Sequence, residues 1–263
     1  MAAAFGCCHD VERHGPRAGP VMISSADPTI DILSAGAVKT LLAGLADAFQ
    51  SRGGGRSQLT FDTAPAIARR IEGGERHDVL AAPAAVLSGL SRSGCFAVSR
   101  RIALARVGVG MVGREGQDSA DISTQAALVT ALLEAEAIVI NRASTGLYME
   151  KLLGRLGILE RVAEKLIRLP TGRAVMLRMA DAPPDCIGFA ATTEIEVHEA
   201  LGVHVAAVLP EALQNYTHYE AASCAAQPAL AAADRFIAFI ASPDSAACYA
   251  ASGLEPRSIA IER

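Results

Sequence analysis

Short aliphatic runs alternate with amphipathic segments along most of this chain, and that alternation restricts it to folds in which helices cross over between parallel strands. TIDIL (29–33) has the continuous apolar character of a buried strand, and SAGAVKTLLAGLADAF after it sets Val38, Leu41, Leu42, Leu45 and Phe49 at helical spacing. LTF (59–61) and APAIARRIEGG, the latter stopped by Gly73 and Gly74, repeat the step. HDVLAA (77–82), ended by Pro83, is a third strand. Parallel strands covered on both faces need an aliphatic core. The composition supplies one, with 51% hydrophobic residues, 4% aromatics and no tryptophan.

The run RIALARVGVGMVG (101–113) breaks this rhythm. Its β-branched residues keep it extended while Gly108 and Gly110 let it bend, so it predicts a strand leaving one lobe for another. A helix over 124–135, the strand AIVI, a helix from Gly146 to Leu156, and helices in ILERVAEKLI and TGRAVMLRMA follow. CIGFAA (186–191) and VHVAAVL (203–209) are strands, and NYTHYEAASC (215–224) reads as a second, returning crossing segment. Two helices, PALAAADRFIAFIA and DSAACYAAS, finish the chain. The expected fold is therefore α/β, with two mixed, mostly parallel sheets in two lobes joined by two crossing strands. Lobe 1 spans 29–108 plus 223–263, and lobe 2 spans 109–222. A cleft between such lobes is a binding place, with hinge closure the expected motion.

Residues 1–28 read as a disordered leader, with Met22 an alternative start. They lack the basic and apolar regions of a secretory signal, so the sequence as given predicts a cytoplasmic location. No apolar run approaches the roughly 18–20 residues of a membrane-spanning helix. A net charge of −4 argues against non-specific nucleic-acid binding. Cys7, Cys8, Cys95, Cys186, Cys224 and Cys248 match neither a zinc nor a redox spacing and are expected to be reduced and mostly buried. No metal and no cofactor is expected.

Four strand-to-helix junctions share one pattern, a small or hydroxyl residue followed by a helix start: SAGAVK (34–39), DTAPA (62–66), NRASTG (141–146) and PTGRAV (170–175). Ligands of open α/β sheets sit at the carboxyl ends of strands, where helix N-termini offer N–H groups to an anion. The expected ligand-binding set is Ser34, Gly36, Lys39, Thr63, Ala64, Arg142, Ser144, Thr145 and Arg173. Each junction alone reads equally as an ordinary N-cap. The two arginines favour a carboxylate, which a guanidinium holds through paired hydrogen bonds. His77 and His204 start strands, and Tyr216 and His218 lie on the return crossing, where alternate residues face a cleft. Protease, esterase, nucleotide and dinucleotide motifs are absent.

From about Ile30 to Pro256 the chain resembles the class II periplasmic-binding-protein family, in particular molybdate-binding-type extracellular solute-binding proteins. The resemblance is carried by IDILSAGAVKTLLAGLADAF, LTFDTAPAIARRIEGGERHDVLAAP, LARVGVGMVG, the central DISTQAALVTALLEAEAIVINRASTGLYMEKLLGRLGI, CIGFAATTEI, LPEALQNYTHYEAA and FIAFIASPDSAACYAASGLEP. It implies a small-anion ligand in an interlobe cleft, met by the loops SAGA, DTAP and ASTG, and an ABC-type permease as partner if the protein is exported. The family's serine in the first loop falls here on Ala37, and its later tyrosine, near Phe189–Ala191, is missing. Those departures, with Arg142, shift the expected ligand from a metal oxyanion toward a carboxylate. The fold family is also similar to aconitate isomerase, which implies an alternative: a cytoplasmic isomerase of an unsaturated polycarboxylic acid working by proton transfer. Its catalytic candidates are Glu194, Tyr216 and His218.

Overall fold

The computed structural model describes residues 28–252 and 254. The leader, Cys7, Cys8 and Met22 lie outside the described residues. The first lobe begins with β1 (Ile30–Ala35), a 3-10 turn (Gly36–Val38), α1 (Lys39–Ser51), β2 (Ser57–Asp62), α2 (Ala64–Glu72), β3 (Val79–Pro83), α3 (Ala84–Arg92) and β4 (Val98–Val107). The second holds β5 (Val109–Arg114), α4 (Gln125–Glu134), β6 (Ala137–Asn141), α5 (Ser144–Arg155), α6 (Leu159–Val162), β7 (Leu166–Leu169), α7 (Gly172–Ala180), β8 (Cys186–Ala191), α8 (Thr192–Glu196) and β9 (Val203–Val208). β10 (Thr217–Cys224), α9 (Leu230–Ile240) and α10 (Ala246–Ala251) return to the first.

Two five-stranded sheets result, in the orders β2-β1-β3-β10-β4 and β7-β6-β8-β5-β9. In each, one strand runs against the others: β10 pairs antiparallel with β3 and β4, and β5 with β8 and β9. Both reversed strands follow a crossing between lobes, so the two sheets are built on one plan. Apolar side chains, mostly aliphatic, fill both cores, Ile32, Leu41, Leu80 and Phe236 in the first and Leu128, Ile138, Leu153 and Phe189 in the second, all fully buried.

Three local expectations change. RIALARVGVGMVG is two strands in different sheets, parted at Gly108. Residues 217–222, expected in lobe 2, pair inside the first sheet, with Tyr219 opposite Pro83 and Ala105. That strand supplies the backbone partners that β3 and β4 would otherwise lack on their facing edges. ILERVAEKLI is helical only over its first residues, then becomes β7. The Lys165 ammonium donates to the carbonyls of Leu133 (2.6 Å) and Ala135 (2.7 Å), anchoring a strand that pairs Leu166 and Ile167 with Ile138 and Val139. Tertiary pairing overrides the helical propensity of the segment. Cys186 and Cys224 are buried and Cys95 and Cys248 half-buried, all four unpaired.

One side chain ties the two crossings together. Gln214 Oε1 accepts from Val109 N at 2.8 Å, and Gln214 Nε2 donates to Val109 O at 3.1 Å. The Gln214→Ala variant takes this partner from Val109 N, while Val109 O keeps Leu209 N (3.3 Å), at the point where the chain changes lobes, and is expected to lose about 1–3 kcal/mol, read as a lower urea midpoint. An unchanged midpoint would show that the crossing needs no such tie.

Candidate functional site

The carboxyl ends of β1 and β2 in one lobe face those of β6, β7 and β8 in the other, around a cavity of about 290 Å³. Its wall carries Gly36 and Ala37 after β1, Thr63 and Ala64 after β2, Ser144 and Thr145 after β6, and Thr171 and Arg173 after β7. All four junctions singled out in the sequence thus meet at one place. Two are closed by their own hydroxyls, since Thr63 Oγ1 accepts from Ala66 N (3.4 Å) and Thr171 Oγ1 from Ala174 N (3.1 Å). The N-cap residue of α5 is Ala143, which offers no side-chain acceptor, so the start of that helix relies on a residue further back in the chain. The N-termini of α2, α5 and α7 all bring partial positive charge to the wall.

Asn141, the last residue of β6, is 3% exposed and faces this cavity. Its Oδ1 accepts from Ala143 N (2.9 Å) and Gly146 N (3.1 Å), which sets the orientation of the amide. Its Nδ2 is then a buried donor with no hydrogen-bond partner in the protein. Such a group costs about 1–3 kcal/mol unless something accepts from it. Strand alternation sends the next side chain the other way. Arg142 is exposed, does not line the cavity, and its backbone N donates to Leu169 O (2.8 Å). Of the two arginines expected there, Arg173 alone lines it, from an exposed position at its edge.

Two carboxylates reach the cavity. Asp62 is neutralised by Arg70 (3.2 Å) and accepts from Thr63 N (2.8 Å). Glu194 has no ion-pair or hydrogen-bond partner for its carboxyl among the described residues, and its carboxyl is pushed up to about 7 by burial. It keeps partial exposure through the cavity while protein packs around the carboxyl itself. A Cβ added to Gly172 would lie 1.9 Å from Glu194 Oε2, and one added to Gly36 would lie 3.3 Å from Oε1. Gly172 is therefore the space in which that carboxyl sits. Tyr219 completes the wall, its phenol pushed up first by burial and then by the charge of Glu194. Next to Glu194 in the chain, Thr193 Oγ1 donates to Ala37 O (2.6 Å), a direct bond between the lobes.

Several candidates fall elsewhere. Ser34 is fully buried and its hydroxyl donates to Ala35 O. Lys39 is exposed over the ring of Phe61, 5.3 Å from its centroid. Tyr216 lies under the guanidinium of Arg106 (4.5 Å), and His218 is exposed opposite Arg106 on the neighbouring strand. Neither lines the cavity; Tyr219, one residue further along β10, does. His77 is buried at the entry to β3, its Nε2 hydrogen-bonded with Glu75 (2.9 Å) and its Nδ1 3.0 Å from Asp31 without hydrogen-bond geometry. No cluster of three or more His, Cys, Asp or Glu among the described residues could hold a metal ion. No helix among them is long and apolar enough to cross a membrane.

The model of the bacterial extracellular solute-binding proteins matches residues 30–255. The chain belongs to this family. Its fold is that of class II periplasmic binding proteins, as solved structures show. The periplasmic molybdate-binding protein of Azotobacter vinelandii superposes with a TM-score of 0.70 at 19% identity, covering 86% of this chain and 98% of that one. The sulfate-binding protein SubI of Mycobacterium tuberculosis does so at 0.70 and 17%, covering 88% and 87%. Among curated proteins, aconitate isomerase of a Pseudomonas species is 24% identical over 246 residues, 90% of this chain and 91% of that protein. The junction hydroxyls, Thr171 of PTGRAV among them, were legible in the sequence, whereas Asn141 and Tyr219 were not. An asparagine closing an apolar strand, directly before a helix start, is the signal that could have identified the first.

Proposed function

We propose that this solute-binding protein holds a small carboxylate anion between its lobes. The observation that carries this reading is the unpartnered Nδ2 of Asn141, a buried donor lining a cavity that three helix N-termini share. Anions are the ligands that accept such bonds and gain from helix dipoles. Arg173 at the edge favours a planar carboxylate over a spherical ion. The cavity volume, near the lower end for small-molecule sites, suits an acid of several carbons. Molybdate, tungstate and sulfate are the competing ligands, and in a receptor role an ABC-type permease would be the partner.

Thermal unfolding with a panel of di- and tricarboxylates, molybdate, tungstate and sulfate separates these ligands. A carboxylate should raise the melting temperature in proportion to the logarithm of its concentration, with the inorganic ions weaker. A response to molybdate alone would replace the carboxylate reading by the inorganic one.

A second reading is supported by Glu194. An unpaired carboxyl in a ligand cavity, held near neutral pH, is suited to moving protons as well as to binding. With the similarity to aconitate isomerase, it supports isomerisation of an unsaturated polycarboxylic acid. Interconversion of cis- and trans-aconitate by the purified protein, followed by proton NMR, tests it.

A further inference from the structure

A proton shift between two carbons needs a base that touches the carbon acid. Among the groups with suitable chemistry, Tyr216 is stacked against Arg106 and His218 is exposed on β10, both outside the cavity wall. Asp62 lines the wall but is held by Arg70 and by Thr63 N. Tyr219 lines it too, and burial keeps its phenol protonated, so it can donate a hydrogen bond but not collect a proton. Glu194 is left. Its carboxyl has no cation beside it among the described residues, and Gly36 from one lobe and Gly172 from the other leave it room at the cavity.

We propose that Glu194 is the catalytic acid–base of a one-base 1,3-proton transfer on an unsaturated di- or tricarboxylate, which Asn141 and Arg173 hold in the interlobe cavity. The proposal rests on the isomerase reading above. The Glu194 carboxylate removes a proton from the saturated carbon next to the double bond. The released C–H electron pair becomes the new C=C bond, and the old π pair moves to the far carbon, spread into the carboxylate attached there. Protonated Glu194 then returns the proton to that far carbon. One C–H bond breaks, one forms, and the glutamate is regenerated, with no oxidant, reductant or further reactant. The Asn141 Nδ2 and the N-termini of α5 and α7 are donors suited to the charge that builds on the substrate carboxylate. A single proton carrier on the wall also implies transfer on one face of the substrate, with part of the proton returned before it exchanges with water.

The test uses the full chain with cis- and trans-aconitate in deuterium oxide. Wild type is expected to interconvert them with less than one deuterium incorporated per turnover. Glu194→Gln should lose on the order of 10²–10⁴-fold in kcat while holding the acid within about threefold of the wild-type Kd, a change within the scatter expected for one altered hydrogen bond. Glu194→Asp, with the carboxyl retained but set back, should recover part of the rate. If wild type interconverts the acids and Glu194→Gln does so within tenfold of it, the assignment of Glu194 is wrong and the isomerase reading stands. If wild type neither isomerises nor exchanges any acid of the panel, both fall together. Full incorporation of solvent deuterium at every turnover would overturn the one-base, single-face route.

Discussion

Gly146→Ala is expected to destabilise the protein by about 3 kcal/mol or more, among the largest effects of any single methyl group here. A Cβ at this position would lie 1.6 Å from the carbonyl oxygen of Asn141 and 3.0 Å from its Oδ1, and the first of these is backbone that no rotamer change can move. Gly146 N also donates to Asn141 Oδ1, so α5 must shift away from β6 and release the amide that points Nδ2 at the cavity. Loss of anion binding should accompany loss of stability. Gly154→Ala, in the same helix with nothing within 4 Å of the added Cβ, is the control, and should be neutral or stabilising by up to about 1 kcal/mol. Equal urea midpoints for the two variants would contradict the packing described at Asn141.

The second large effect concerns pH. Burial raises the Glu194 carboxyl from its ordinary 4.5 to about 7, so the folded protein holds this proton more tightly than the unfolded chain does. Stability is therefore unaffected by this group below pH 4.5, falls as pH rises through the interval up to about 7, and stays lower above it. The full difference is about 3 kcal/mol. Glu194→Gln stays neutral throughout. Its stability relative to wild type should grow by that amount between pH 4 and pH 8, in paired urea titrations where other titrating groups cancel. A flat difference would mean that the carboxyl is solvated as an ordinary glutamate. A variant that gains stability while losing turnover would fit a site whose function opposes stability.

What the sequence made legible was local. The junctions of β1, β2, β6 and β7 with their helices announce themselves by small and hydroxyl residues at a change of period, and these four places converge on the cavity. What it concealed depends on partners distant in the chain. Whether Asn141 or Arg142 faces the ligand is a matter of strand parity, set where β6 pairs with β7 and β8. Tyr219 reaches the wall where its neighbour His218 does not because adjacent strand residues face opposite ways, and the position of β10 between β3 and β4 decides which face meets the cavity. A shift of one residue exchanges the faces of a strand. β7 was hidden by a helix-favouring sequence whose strand state is decided by Ile138 and Val139 across the sheet. Glu194 could be proposed from its chemistry, but its access to the cavity depends on Gly36 and Gly172, each contributed by a different junction.

The central claim is that the buried amide of Asn141 receives a carboxylate between the lobes. Calorimetric titration of the full chain with cis-aconitate, alongside Asn141→Ala, addresses it directly. The expected result is saturable binding at one site per chain, weakened by about tenfold or more in the variant, as for a hydrogen bond to a charged group. Binding of equal strength in both proteins would contradict the site, and no binding of cis-aconitate or any other small carboxylate to wild type would contradict the proposed ligand class.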